Sequence, residues 1–363
     1  MNLNLIDEED FTRTMEEVVL PDLSRCRHEG WMTSHSRSGE GGEILEGGRE
    51  KDRDPVGLVH FVCYDVNEFH DRAYESGQAR WRGAVVISHG FTEFADKYAE
   101  LTWYFLMQGY SVCLIEHWGH GGSGRGVDGR SLVWVDHWQR YVADLASFCE
   151  SVGQVYAGDH PLCLYAHSMG GAIAARMLER HPSLIDKAVL SSPMIAPRVG
   201  LPPSLVLLAA KAACGLGLGK TMIPGFHPFN PEADMTQYVN GSEARVRWAH
   251  RQRAGNPEYQ TSAATFGWIR ESLAMCKVIL QPEQCERVET PILLFQAEPD
   301  TMVLPKPQAR FVAQVEAGGS QADLVTIHKS MHELFEMPNP VLGPYLQQIF
   351  DFFDSPYRLG GDR

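Results

Sequence analysis

Residues 162–171 read LCLYAHSMGG, and this stretch decides the fold. An apolar run leads into Ser168, which is flanked by small residues, and a helix-forming run, AIAARML, follows at residues 172–178. The pattern predicts a strand, a sharp turn that carries the serine, and a helix. Such a turn lifts the hydroxyl clear of the sheet and points the first helical amides at the same place. A tight turn with an incidental serine is the alternative interpretation.

Short apolar runs alternate with helical patterns on both sides of this stretch. Strands are predicted at residues 30–33, 56–65, 84–88, 110–115, 161–166, 187–190, 291–297 and 322–327, and helices at residues 97–107, 137–152, 307–315 and 341–353. Polar connections are predicted at residues 37–55 and 70–80. The alternation predicts an α/β fold with a mostly parallel, eight-stranded sheet and helices on both faces.

The alternation breaks between residues 193 and 285, where several prolines precede further helical runs. We interpret residues 193–285 as an inserted helical cap, and residues 1–192 and 286–363 as the core. The cap is expected over the carboxyl edge of the sheet, because ligands bind at that edge in open α/β folds.

Composition narrows the classes of function. The formal net charge of −14 argues against a nucleic-acid partner and against general attraction to an anionic membrane. None of the eight cysteines stands in a C-x-x-C pair, which favours a reducing, cytoplasmic compartment and no metal site. The first ten residues lack the basic and apolar regions of a signal peptide. The longest apolar run, residues 205–219, is too short to span a bilayer.

An activated serine needs a base, and the base needs a group that orients it. Asp300 and His332 each stand just past the end of a predicted strand, so both are expected at the edge that carries Ser168. Their order along the chain, serine then acid then histidine, is that of α/β-hydrolases. We predict that Ser168 is the nucleophile, His332 the base and Asp300 its partner. Glu298 and His328 are the alternatives for the acid and the base.

An oxyanion formed at Ser168 needs two backbone N–H donors. Met169, directly after the nucleophile, is one candidate, and Phe91, in the loop after the strand at residues 84–88, is the other. Gly90 lets this loop approach the substrate closely. His89 is interpreted as a structural brace of the loop.

Four segments resemble one family. Residues 89–93 (HGFTE), 116–123 (EHWGHGGS), 166–171 (AHSMGG) and 332–333 (HE) are similar to the monoacylglycerol lipase and lysophospholipase branch of the α/β-hydrolases, and to bacterial lysophospholipases in particular. The resemblance extends from about residue 83 to residue 353. It implies hydrolysis of one fatty-acyl ester of a lysophospholipid or monoacylglycerol, with no cofactor.

The cap carries candidate substrate contacts. Its apolar run and aromatic residues, Trp268 among them, suit an acyl chain, since each buried methylene contributes about 0.8 kcal/mol. Gly90 and His167 are further candidates beside the serine. Arg247 and Arg251 belong to a basic run at residues 245–253 and are candidates for a phosphate headgroup or a membrane surface. A peripheral position on the inner membrane leaflet follows as a hypothesis, and a solvated helix face is the alternative.

Three other functions remain open. One is a short-chain carboxylesterase or thioesterase. Another is a serine aminopeptidase of a related branch, which would need a cap carboxylate for the substrate amine, with Glu232, Asp234 and Glu243 available. The third is a hydrolase-fold protein that binds a ligand without catalysis.

Overall fold

The computed structural model describes residues 4–45, 55–69, 81–232 and 235–356. Parts of the two predicted polar connections, residues 46–54 and 70–80, lie outside this range. The strands are β1 (Arg27–Thr33), β2 (Leu58–Tyr64), β3 (Gly83–Ser88), β4 (Tyr110–Ile115), β5 (Leu132–Val133), β6 (Leu162–His167), β7 (Lys187–Ser191), β8 (Ala263–Ala264), β9 (Ile292–Glu298) and β10 (Ala322–His328).

Eight of these strands form one sheet in the order β1-β2-β4-β3-β6-β7-β9-β10. Strand β2 runs antiparallel to β1 and β4, and every other pairing in the sheet is parallel. The predicted mostly parallel, eight-stranded sheet is therefore confirmed. The short strands β5 and β8 form a separate parallel pair.

Helices cover both faces of the sheet. They are α1 (Phe11–Thr14), α2 (Leu20–Arg25), α3 (Ala99–Met107), α4 (Gln139–Phe148), α5 (Gln154–Ala157), α6 (Met169–Leu178), α7 (Pro203–Gly215), α8 (Glu243–Gly255), α9 (Phe266–Ile279), α10 (Pro282–Cys285), α11 (Pro305–Ala317) and α12 (Asn339–Asp354). The helix predicted at residues 137–152 comprises α4 and a π-helical turn, Cys149–Gly153, and continues into α5.

The core consists of two apolar layers, one on each face. Along β3, Val86 belongs to the layer that contains α4 and α6, whereas Val85 and Ile87 belong to the layer that contains α3 and α12. Successive strand side chains point to opposite faces, so a strand buried on both sides is apolar throughout. This double burial explains why β3 and β6 read as continuous apolar runs.

The N-terminal segment was not predicted as helical. Its helices α1 and α2 are joined by a π-helical turn, Met15–Val19. Phe11, Met15, Val19 and Leu23 are buried at intervals of four residues and join the layer that contains α3. That spacing is the sequence signal for a helical face.

Between β7 and β9 the chain leaves the sheet and forms α7 to α10. Helix α9 packs against α6 and α7, and α8 packs against α1. The β5–β8 pair joins this segment to the loop that follows β4. In the described residues, no helix combines the length and the apolar character that crossing a bilayer requires.

Candidate active site

Ser168 lies in the turn between β6 and α6. Its backbone angles, φ 51° and ψ −116°, are ones that residues with a side chain rarely adopt. The turn is sharp because α6 begins against the end of β3: a Cβ on Gly170 would lie 2.1 Å from the Ser88 carbonyl oxygen. Glycine at this position therefore lets the helix start directly beneath the serine.

The structure brings Ser168, His332 and Asp300 together. Nε2 of His332 lies 2.7 Å from Oγ of Ser168, and Nδ1 lies 2.8 Å from Oδ2 of Asp300. All three residues are at most 8% exposed. The other oxygen of Asp300, Oδ1, accepts hydrogen bonds from the amides of Met302 and Val303. Since an ionised carboxylate only accepts, Nδ1 of His332 carries the proton and Nε2 is free to accept from the serine hydroxyl.

The charge of Asp300 stabilises the protonated form of His332. Burial lowers the pKa of His332, but the hydrogen bond and charge of Asp300 outweigh it, so that the pKa lies above its ordinary value. Burial raises the pKa of Asp300, and the hydrogen bond to His332 and its positive charge reverse this, so that the net shift is downward. Asp300 is therefore ionised at neutral pH.

The alternative acid and base lie elsewhere. Glu298 and His328 contact each other, and their side chains are 59% and 74% exposed. Neither has a hydrogen bond to Ser168 among the described contacts.

The two candidate oxyanion donors are backbone amides next to the turn that carries Ser168 and in the loop after β3. Met169 is the first residue of α6, and Phe91 stands in the loop after β3. Within the described chain, neither amide donates a hydrogen bond to a protein acceptor. His89 holds this loop: Nδ1 donates to the Gly90 carbonyl at 2.7 Å, and Nε2 accepts from the His117 amide at 2.9 Å. Both of its nitrogens are occupied, which fits the predicted brace.

A buried carboxylate, Glu93, also supports the loop, and the sequence analysis did not single it out. It accepts from the Gly90 amide at 2.6 Å, the Tyr98 hydroxyl at 2.5 Å and the Lys97 ammonium at 2.7 Å. Burial raises its pKa, but the charge of Lys97 reverses the effect, and the pKa falls far below its ordinary value. The spacing of Glu93 and Lys97, i to i+4, was the available sequence signal.

Among the described residues, Glu93, His167 and Glu333 are the group whose ligand atoms lie close enough to hold a metal, within 4.8 Å of one another. The ammonium of Lys97 already neutralises Glu93, and that carboxylate accepts two further hydrogen bonds. This donor set does not fit a metal ion.

Three predicted substrate contacts lie beside His332 or in and against the candidate oxyanion loop. Gly90 belongs to the loop described above, and the His167 ring lies 4.9 Å from the His332 ring. The buried ring of Trp268 packs on Phe91, with centroids 4.1 Å apart. The aromatic ring of Phe226 also meets Phe91 in an edge-on arrangement, with centroids 6.4 Å apart. An aromatic wall therefore stands beside the candidate oxyanion donor.

Arg247 and Arg251, the predicted headgroup contacts of the basic run, each contact another residue of the protein. Arg247 pairs with Glu243 at 2.6 Å on an exposed face of α8, and Arg251 donates to the Thr12 hydroxyl at 2.7 Å. Neither contacts Ser168, Asp300 or His332 in the described structure. Arg253, which the sequence analysis did not single out, donates to the Thr92 carbonyl at 2.8 Å, next to Phe91.

The cap carboxylates that a peptidase would need give no support to that alternative. Glu243 is paired with Arg247, Glu232 is exposed, and Asp234 lies outside the described residues.

Comparison with known proteins agrees with this fold. The sequence profile of the serine aminopeptidase S33 family matches residues 79–339. Lysophospholipase L2 of Escherichia coli strain K12 is 30% identical over 316 residues, which cover 85% of this chain and 87% of that protein. A monoacylglycerol lipase of Mycolicibacterium smegmatis is 27% identical over 269 residues, which cover 72% and 85% of the two chains.

Among solved structures, a soluble variant of monoglyceride lipase from Saccharomyces cerevisiae shares the fold. Its TM-score is 0.66 at 18% identity, and the match covers 84% of this chain and 94% of that one. The resemblance noted in the sequence is therefore confirmed. The chain belongs to the serine aminopeptidase S33 family of α/β-hydrolases, in the branch that contains lysophospholipases and monoacylglycerol lipases.

Proposed function

We propose that this protein is a serine hydrolase that cleaves one fatty-acyl carboxylic ester of a lysophospholipid or monoacylglycerol. The observation that carries the proposal is the continuous hydrogen-bonded chain from Asp300 through His332 to the Ser168 hydroxyl. The names of the bacterial relatives, a lysophospholipase and a monoacylglycerol lipase, support the class of substrate.

In the proposed mechanism, Oγ of Ser168 attacks the ester carbonyl carbon while Nε2 of His332 accepts the hydroxyl proton. The amides of Phe91 and Met169 donate to the oxyanion that forms. The tetrahedral intermediate then collapses, and Nε2 returns the proton to the leaving alcohol. A water molecule, deprotonated by the same nitrogen, hydrolyses the acyl-enzyme. Asp300 holds the imidazole tautomer and stabilises the imidazolium throughout.

We further propose that residues 193–285 act as a cap over the carboxyl edge of the sheet. The packing of Trp268 on Phe91 supports this role, because it brings an apolar surface of the segment to the candidate oxyanion loop. The acyl chain would lie along this aromatic wall.

A peripheral position on a membrane is part of the proposal, on the cytoplasmic side. Helix α7 buries only Ala210. Leu205 and Leu208, one helical turn apart, are 57% and 65% exposed, and Leu201 and Leu216 beyond the helix ends are exposed as well. An exposed apolar surface of this kind suits contact with lipid.

Labelling with a fluorophosphonate probe tests the catalytic role of Ser168. We expect the wild-type protein to be labelled, and Ser168→Ala to lose labelling and at least about 10⁴-fold in kcat, because no other group supplies the nucleophile. Circular dichroism and Tm serve as the folding control. A wild-type protein that resists labelling would favour a binding protein without catalysis.

A chain-length series of nitrophenyl esters separates the lipid reaction from its alternatives. We expect kcat/KM to rise from acetyl to medium and long acyl chains, because each added methylene can be buried in the cap. A preference for acetyl would favour a short-chain esterase, and faster cleavage of aminoacyl arylamides than of any ester would favour a peptidase.

A further inference from the structure

The guanidinium of Arg253 is held against the loop that carries the candidate oxyanion donor. Its Nη2 donates to the Thr92 carbonyl at 2.8 Å, and its Cζ lies 5.6 Å from the centroid of the Phe94 ring. Thr92 directly follows Phe91 in the chain. The last turn of α8 therefore brings a positive charge to the residue that follows the candidate oxyanion donor.

Unlike Arg245 and Arg247, Arg253 has no carboxylate partner in the described chain. Arg251 also lacks one there, and its guanidinium donates to the Thr12 hydroxyl instead. Arg245 pairs with Glu100 at 2.8 Å, and Arg247 pairs with Glu243 at 2.6 Å. No carboxylate of the described residues lies within 4.0 Å of Arg253, which is partly exposed. Since a guanidinium has five N–H donors and one is used at Thr92, the remaining donors can bind an anion.

A carboxylate without an ionic partner lies nearby. Glu333 is adjacent to His332 and half-buried, and it forms no ion pair within 4.0 Å in the described chain. The other charged groups here, Glu93 and Glu336, both face the ammonium of Lys97, at 2.7 Å and 3.5 Å. Arg253 and Glu333 are thus the charged groups of this cluster that form no ion pair among the described residues.

The charges of Arg253 and Glu333 both influence the pKa of one phenol, that of Tyr238 in the cap. Burial raises the pKa of Tyr238, Lys97 lowers it, Glu333 and Glu336 raise it further, and Arg253 lowers it. A carboxylate oxygen of Glu333 lies within 4.8 Å of one of Glu93, which accepts from the Gly90 amide, and Arg253 donates to the Thr92 carbonyl. Both charges therefore lie beside the loop at residues 90–92. A ligand bound beside this loop would therefore be near both a positive and a negative charge.

We infer that Arg253 determines headgroup specificity by binding the phosphate of a zwitterionic lysophospholipid, while Glu333 faces the ammonium group of the same headgroup. The inference rests on the proposed function. Only the glycerol unit separates the scissile carbonyl from the phosphate in such a lipid, and the guanidinium of Arg253 is bonded to Thr92, the residue that follows Phe91. Charge-assisted hydrogen bonds from arginine to phosphate are strong and directional. A monoacylglycerol offers neither charge.

The test compares three lipids in neutral detergent micelles: 1-oleoyl-lysophosphatidylethanolamine, anionic 1-oleoyl-lysophosphatidylglycerol and 1-oleoylglycerol. We expect Arg253→Ala to lower kcat/KM for both lysophospholipids by about tenfold to a hundredfold. The value for 1-oleoylglycerol should change by less than about threefold. Arg253→Lys should fall between, since lysine keeps the charge but not the planar fork. Glu333→Gln should lower the preference for the ethanolamine lipid over the glycerol lipid.

Arg310→Ala is the matched control, because Arg310 also donates to a backbone carbonyl but does so from α11. Equal losses on all three lipids in Arg253→Ala would mean that the residue only supports the Thr92 loop, and would overturn the inference. So would a lysophospholipid-selective loss in Arg247→Ala or Arg251→Ala but not in Arg253→Ala, or an unchanged headgroup preference in Glu333→Gln. A wild-type protein that takes the fluorophosphonate probe but hydrolyses none of the lipids would instead contradict the proposed function.

Discussion

At the scale of single residues, the hydrogen bond between His332 and Asp300 sets the pH at which the base loses its proton. A base must be neutral to accept the serine proton, so activity rises as pH passes the pKa of His332. Because Asp300 raises that pKa, the acidic limb of kcat/KM should have its midpoint above the ordinary histidine value of 6.5. A pH profile with a nitrophenyl ester measures this midpoint.

Replacement of Asp300 by asparagine separates its two contributions. Without the Asp300 carboxylate, burial still lowers the pKa of His332, and only the charges of Glu333 and Glu93 are left to oppose it. The midpoint in Asp300→Asn should therefore move to lower pH. The maximum kcat should fall by about 10⁴-fold, because the tautomer is no longer enforced. Asp323→Asn, on an exposed part of β10, is the control. An unchanged midpoint in Asp300→Asn would contradict this account of the site.

At the scale of elements, the contact between α6 and β3 depends on one missing side chain. Gly170→Ala would place a Cβ 2.1 Å from the Ser88 carbonyl oxygen, a backbone atom that cannot rotate away. We expect about 3 kcal/mol less stability in urea unfolding and a loss of activity, because the turn that carries Ser168 must shift. Gly215→Ala in α7 is the control. No atom lies within 4 Å of that added Cβ, so we expect a gain of up to about 1 kcal/mol. Equal effects of the two substitutions would refute the close contact.

Helix α8 is anchored by one buried ion pair. Arg245 is 2% exposed, and its guanidinium makes two hydrogen bonds of 2.8 Å to Glu100 of α3. Arg245→Ala leaves this carboxylate unpaired and should reduce stability by about 3–5 kcal/mol in urea unfolding. Arg247→Ala, on the same helix, removes an exposed pair with Glu243 and should cost about 0.5 kcal/mol or less. If both variants lost the same stability, burial would not be the deciding factor.

At the scale of the whole molecule, the exposed leucines of α7 form an apolar surface on an acidic protein. The double variant Leu205→Asp and Leu208→Asp should bind neutral phosphatidylcholine vesicles at least about tenfold more weakly, since it loses apolar contact and adds charge. Hydrolysis of a soluble nitrophenyl ester should be unchanged. Val155→Asp is the control, because Val155 is 73% exposed on α5. Co-sedimentation measures the binding, and an equal effect of Val155→Asp would rule out a specific α7 surface.

Short-range sequence pattern predicted much of the fold and of the candidate site. The alternation of apolar runs and helical patterns predicted the sheet, and the position of Ser168, Asp300 and His332 past strand ends predicted that they meet. Both predictions rest on short-range rules: apolar strands are buried on both faces, and parallel strands end at one edge. The antiparallel start at β1 and the N-terminal helices were harder to recognise, since they depend on pairing with β2 and on packing with α3.

The sequence by itself determined the α/β class, the strand–turn–helix that carries Ser168, and the candidates for base and acid, because each is written in residues close together or in the order of strands. Only the tertiary structure decided that Glu93 and Lys97 brace the oxyanion loop and that Arg253, rather than Arg247 or Arg251, lies beside it. Which face of α8 turns inward depends on Glu100 and Phe11, more than a hundred residues away along the chain. The sequence does not distinguish the arginines of one helix from each other, because residues distant along the chain decide which of them form ion pairs.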